Sequence, residues 1–160
     1  MERITLKSLC AALLLLGAGA GQITAQPILR LPSIIGDHMV LQENSNVKIW
    51  GWAEPNKEVL IIPSWSQDTV RTKSTGDTKW LASIQTPAAD NRTYTLTVQT
   101  QQRKIEVKDI LVGQVWLCGG QSNMNYSAAQ GITDMQEELE KPMNPSIRLF
   151  TVTRNSSPWY

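Results

Sequence analysis

The residues best supplied for chemistry are Gly119-Gly120-Gln121-Ser122-Asn123-Met124. Ser122 offers a hydroxyl nucleophile for acyl transfer. Such a hydroxyl is weak at neutral pH and needs a base, usually histidine, with an acid to orient it. The paired glycines permit backbone angles closed to other residues. A backbone N–H beside the serine can face the negative charge that develops during acyl transfer. The same residue types are also ordinary turn formers. The usual Gly-x-Ser-x-Gly elbow is absent, because Met124 holds its fifth position. From these residues alone, nucleophile and turn residue both stand.

The flanking elements would have to position that serine. Val115-Trp116-Leu117-Cys118 is an apolar run that predicts a short buried strand ending at the glycines. Ser122 would then lie just past a strand end, where many α/β enzymes place catalytic groups. Further on, Thr133 and Gln136 have capping-box spacing. Ile132, Met135 and Leu139 share one helical face, and Pro142 stops the run. Residues 147–152 read as a second apolar strand. The last third therefore predicts strand, loop, helix, strand, a single βαβ unit.

Residues 28–112 read differently. Strands are expected at 47–52, 59–62, 79–86, 94–98 and 105–108, several with period-two alternation. Glu54-Pro55-Asn56, Ser74-Thr75-Gly76-Asp77 and Ala89-Asp90-Asn91 supply turns between them. Short strands at this spacing predict an antiparallel sandwich.

Three blocks carry a family resemblance. The run from Val115 to Met124 resembles the nucleophile block of the sialate O-acetylesterase family, a branch of the SGNH hydrolases. Gly36-Asp37-His38-Met39-Val40-Leu41-Gln42, with Ile49-Trp50-Gly51-Trp52-Ala53-Glu54-Pro55, resembles that family's N-terminal β-domain. Asn144-Pro145-Ser146-Ile147-Arg148-Leu149-Phe150 resembles the strand after the first helix of its hydrolase domain. The likeness runs from about residue 27 to the end of the chain, with the blocks in the family's order.

The resemblance implies a mixed fold: an N-terminal antiparallel β-sandwich, then the first βαβ unit of an SGNH-type α/β hydrolase domain. The expected divisions are a signal peptide at 1–25, an accessory sandwich at 26–110 and the start of the hydrolase domain at 111–160. It implies Ser122 as catalytic nucleophile, with its own N–H in the oxyanion hole and Gly120, Gln121 and Asn123 supporting the loop. The implied substrate is an acetylated sugar or glycan, O-acetylated sialic acid or a relative of it, hydrolysed without cofactor or metal. The family's base comes from an Asp-x-x-His motif, which this sequence lacks. The single histidine, His38, adjoins Asp37. Neighbouring side chains on a strand point to opposite faces, so a Ser122–His38–Asp37 triad is disfavoured and His38 reads as a surface or turn residue. The chain is accordingly expected to be an N-terminal fragment of a longer enzyme, inactive by itself.

Composition bounds the remainder. At 160 residues, 41% apolar and net charge +1, the chain is of globular type. No basic block favours nucleic acid. Glu137, Glu138 and Glu140 read as helix-surface acids, not metal ligands. Arg3 and Lys7 precede an apolar run at 9–21, too short for a membrane span and typical of a secretory signal cut after Ala20 or, preferably, Ala25. The mature protein is expected to be secreted or periplasmic, with no membrane attachment after cleavage. Cys10 belongs to the signal, and Cys118 reads as a small buried strand residue. Asn91-Arg92-Thr93 and Asn155-Ser156-Ser157 fit the glycosylation sequon. Of the six tryptophans, Trp80 and Trp116 read as core. Trp50 and Trp52, on one side of a strand, read as core packing or as a sugar-stacking pair. Trp65 is the tryptophan expected at the surface. An alternative function is a non-catalytic carbohydrate-binding or interaction module. Oligomeric state is not indicated.

Overall fold

The computed structural model describes residues 28–120, 124, 126 and 135–152. Two sheets face each other across one apolar core. The first has the order β1 (Leu29–Arg30), β3 (Asn46–Ala53), β6 (Lys79–Gln85). The second has the order β2 (Val40–Gln42), β8 (Lys104–Gly113), β7 (Tyr94–Gln99), β4 (Glu58–Pro63), β5 (Val70–Lys73). The expected sandwich is present, with one correction: β2 pairs with β8 in parallel, Val40 opposite Leu111 and Gln42 opposite Gly113. The other pairings are antiparallel. The ladder of β8 runs to Gly113.

Alternation sorts side chains between core and solvent. Trp80, Ala82 and Ile84 of β6 face inward, as do Tyr94, Leu96 and Val98 of β7. Ile61, Leu96 and Val98 are completely buried. Gly51 is required by a close approach: a Cβ there would lie 2.3 Å from the Arg30 carbonyl oxygen and 2.9 Å from the Trp80 ring. Trp80 fills the inner space over Gly51, and Trp50 and Trp52 are turned to the other face of β3.

Two buried hydroxyls fasten the turns. Thr86 Oγ1 accepts from the Ser45 N–H at 3.0 Å and donates to the Gln42 carbonyl at 2.6 Å. Ser74 Oγ accepts from the Lys57 N–H at 2.9 Å and donates to the Glu54 carbonyl at 2.5 Å. Each satisfies backbone groups that the adjoining ladders leave unpaired.

The βαβ expectation is not met among the described residues. Residues 114–120 form no strand, and Trp116 and Leu117 are 83% and 98% exposed. Residues 147–152 are likewise irregular, with Leu149 at 93% exposure. The helix is a short α1 (Gln136–Glu140) flanked by an exposed Met135. An apolar run becomes a buried strand only beside a partner ladder, and the described residues supply none for either run. Trp116 is thus not core, and Cys118 is exposed, not buried. The expected signal at 1–25 lies outside the described residues.

Candidate functional site

The segment carrying the candidate nucleophile leaves the sandwich from β8. Two hydrogen bonds hold that exit. The Gln114 amide donates to Glu43 Oε1 at 2.6 Å, and the Val115 N–H donates to Gln42 Oε1 at 2.9 Å. Glu43 Oε2 also accepts from the Ala89 N–H at 3.1 Å, so its carboxylate fixes two loops at once. Beyond this point Gly120 is exposed. A Cβ on Gly120 would meet the Met124 side chain, so these two residues lie against each other. Gln121, Ser122 and Asn123 lie outside the described residues.

The chain returns to the same strand at Arg148. In β8, Lys108 and Asp109 stand opposite Thr95 alone, between the Leu96↔Val107 and Tyr94↔Ile110 pairs. That extra residue is a β-bulge, and bulges re-aim side chains. Asp109 sits on it with φ 53° and holds its carboxylate out from the ladder. His38 Nδ1 lies 2.5 Å from Asp109 Oδ2, and Arg148 Nη2 donates to Asp109 Oδ1 at 2.8 Å. Arg148 Nη1 also donates to the Asp109 carbonyl. The Arg148 side chain is only 18% exposed. Its partners, the His38 ring first and the guanidinium second, hold the Asp109 carboxyl below the ordinary carboxylate range.

The loop before β2 is shaped to this bulge. Asp37 Oδ1 accepts from the Lys108 N–H at 2.7 Å, the His38 N–H donates to the Lys108 carbonyl at 3.1 Å, and the Leu111 N–H donates to the Met39 carbonyl at 3.1 Å. His38 has φ 66°. Two left-handed non-glycine residues in direct contact are a costly arrangement, of order 1–3 kcal/mol each, that only converging contacts maintain. Asp37 is thus spent on backbone, and the acid that orients His38 is Asp109. The His38 side chain is 74% exposed, as a surface histidine should be.

Both feet of the segment 114–148 therefore stand on β8, at Gly113 and Asp109, roughly 13 Å apart along the strand. Sequence reading found the Gly36–Gln42 block but not its role. It gave no sign of Asp109, whose importance rests on a bulge and a contact with Arg148 made 39 residues away.

The tryptophans exchange roles. Trp65 packs edge-on against Tyr94, with centroids 5.6 Å apart, and its Nε1–H donates to the Gln85 carbonyl at 2.8 Å. On the sandwich, the exposed indole among the described residues is Trp50, at 39%. It lies in an open groove of about 630 Å³ lined also by Trp52, Thr72, Lys73, Lys79 and Leu81.

No family model matches the chain. Among curated proteins it is 31% identical to a sialate O-acetylesterase of Mus musculus over 133 residues, covering 78% of this chain and 24% of that protein. The sialate O-acetylesterase of Rattus norvegicus is 30% identical over 146 residues, 86% of this chain and 26% of its own length. Among solved structures, a carbohydrate acetylesterase from Xanthomonas citri superposes with a TM-score of 0.56 at 33% identity, over 63% of this chain and 22% of that one. The chain thus spans about a quarter of the length of the curated relatives it matches.

Proposed function

The chain is a homologue of the sialate O-acetylesterases over most of its length, and from that kinship we propose that it contributes the accessory β-domain and nucleophile segment of a carbohydrate esterase. The substrates are sugars bearing O-acetyl groups, sialic acid or its relatives. Ser122 is the nucleophile. Its oxygen attacks the acetyl carbonyl, and the resulting oxyanion is received by the Ser122 backbone N–H and by donors outside this chain. The sugar oxygen leaves with a proton, and water then releases acetate from the serine ester. Each oxyanion donor lowers the barrier by about 3 kcal/mol.

The observation that carries this reading is the kinship with named esterases, joined to the Gly120-Gln121-Ser122-Asn123-Met124 block. The base is not assigned to this chain. Its sole histidine is held by Asp109 on the sandwich, and no Asp-x-x-His motif occurs. Residues 26–110 act as the accessory sandwich and 111–160 as the opening of an SGNH-type hydrolase domain. A secretory signal at 1–25 places the product outside the cytoplasm.

The test is acetate release from O-acetylated sialic acid. By itself the 160-residue chain is expected to act no faster than its Ser122→Ala variant. In the longest gene product carrying these residues, Ser122→Ala removes several powers of ten of turnover. Turnover there that ignores Ser122→Ala sinks the reading.

A further inference from the structure

The outer face of the three-stranded sheet combines aromatic surface with charge of one sign. Trp50 and Trp52 alternate with the buried Ile49, Gly51 and Ala53, so both indoles project from the same side of β3. Leu81 stands opposite Trp50 and is 54% exposed; Lys79 stands opposite Trp52, as does Arg30 from the other side. Lys48 precedes Trp50 by two positions and shares its face. Strands β1, β3 and β6 contain no aspartate or glutamate. The acids nearest in the chain, Glu54 and Asp77, lie in turns beyond the strand ends. Lys73 of β5 adds a further cation to the groove wall, with the Thr72 and Thr75 hydroxyls.

Two indoles about 7 Å apart on a strand, Trp50 exposed and Trp52 half-buried, offer a flat apolar surface. The C–H face of a pyranose ring lies well on such a surface. The surrounding cations favour a ligand that bears negative charge. Few polar groups around an apolar floor is the ordinary build of a small-molecule site.

We propose that the outer face of β3 and β6 binds glycans ending in a carboxylated pyranose, with the sugar ring on Trp50 and Trp52 and the carboxylate met by Lys48, Lys79 or Arg30. The site is separate from Ser122 and does no chemistry. It holds an acidic glycan on the accessory sheet, so its success or failure is independent of the esterase reading.

The test titrates the full chain with sialyllactose and, in parallel, with lactose, following tryptophan fluorescence and saturation-transfer NMR. Sialyllactose is expected to bind more tightly than lactose, and less so as salt rises. Trp50→Ala should weaken binding about tenfold, the scale of one lost aromatic anchor. Lys48→Gln with Lys79→Gln, both at exposed positions that leave the core intact, should remove the preference for sialyllactose. Equal affinity for the two sugars overturns the proposal. So does a folded Trp50→Ala variant that binds as before, or Trp50-dependent self-association in the ultracentrifuge without glycan binding.

Discussion

Arg148 grips Asp109 twice, at its carboxylate and at its carbonyl, and so returns the chain to the strand it left at Gly113. The contact is local in space and remote in sequence. It closes the excursion that contains Ser122.

The first prediction concerns that closure. Arg148→Ala should leave the sandwich folded, since its core does not include Arg148. Limited proteolysis between residues 120 and 150 should accelerate severalfold while the thermal midpoint of the sandwich stays put. An unchanged cleavage rate would show that the segment is held by something else.

The second follows from titration. The folded Asp109 carboxyl has a depressed pKa, so its contribution is complete above the unfolded value, about 3.9. That contribution is lost as pH falls through the lower folded value. Protease sensitivity of the 120–150 segment should therefore rise below about pH 4, and Asp109→Asn should show it already at pH 7. A pH-independent cleavage pattern would argue against the charge.

The third tests the buried hydroxyls. Thr86→Val and Ser74→Ala each leave backbone groups unpaired in an interior site, where the loss is about 1–3 kcal/mol. Urea unfolding of each variant reads that loss as a lower midpoint at constant slope.

The fourth tests the packing of Trp80 over Gly51. Gly51→Ala places a methyl against the Arg30 backbone, which cannot yield as a flexible side chain would. Overpacking of this kind costs about 1–3 kcal/mol. A stability equal to that of the parent would mean that β1 shifts freely.

The fifth concerns Cys118. Because it is exposed, a chain carrying Cys10→Ser should react with Ellman's reagent at nearly the rate of a free thiol. Protection until denaturant is added would return Cys118 to a buried strand.

The strands of the sandwich were legible where one face is wholly apolar. Tyr94–Gln99 and Lys79–Gln85 alternate without exception, and their buried positions follow the pattern. β3 was ambiguous for a physical reason. Both of its faces carry residues fit for a core, and the choice between them is made by Trp80 on the next strand, not within β3. Trp65 reads as a loop residue and yet packs on Tyr94, a contact set by tertiary placement. The bulge at Asp109 left no local mark, since neither glycine nor asparagine occupies its left-handed position. At the candidate site, Ser122 lies outside the described residues, and the apolar flanks at 115–118 and 147–152 form no strands, because apolar character specifies burial only where a surface exists to receive it.

The parallel pairing of β2 with β8 has a consequence for biosynthesis. A strand made early waits for the last strand of its sheet, whose partner residues lie 71 positions later. At about 5–20 residues per second, the ribosome leaves the β2 edge bare for several seconds. The segment after Gly113 therefore emerges only as the sandwich gains its closing strand, and chaperone occupancy during translation should fall once Gly113 clears the exit tunnel.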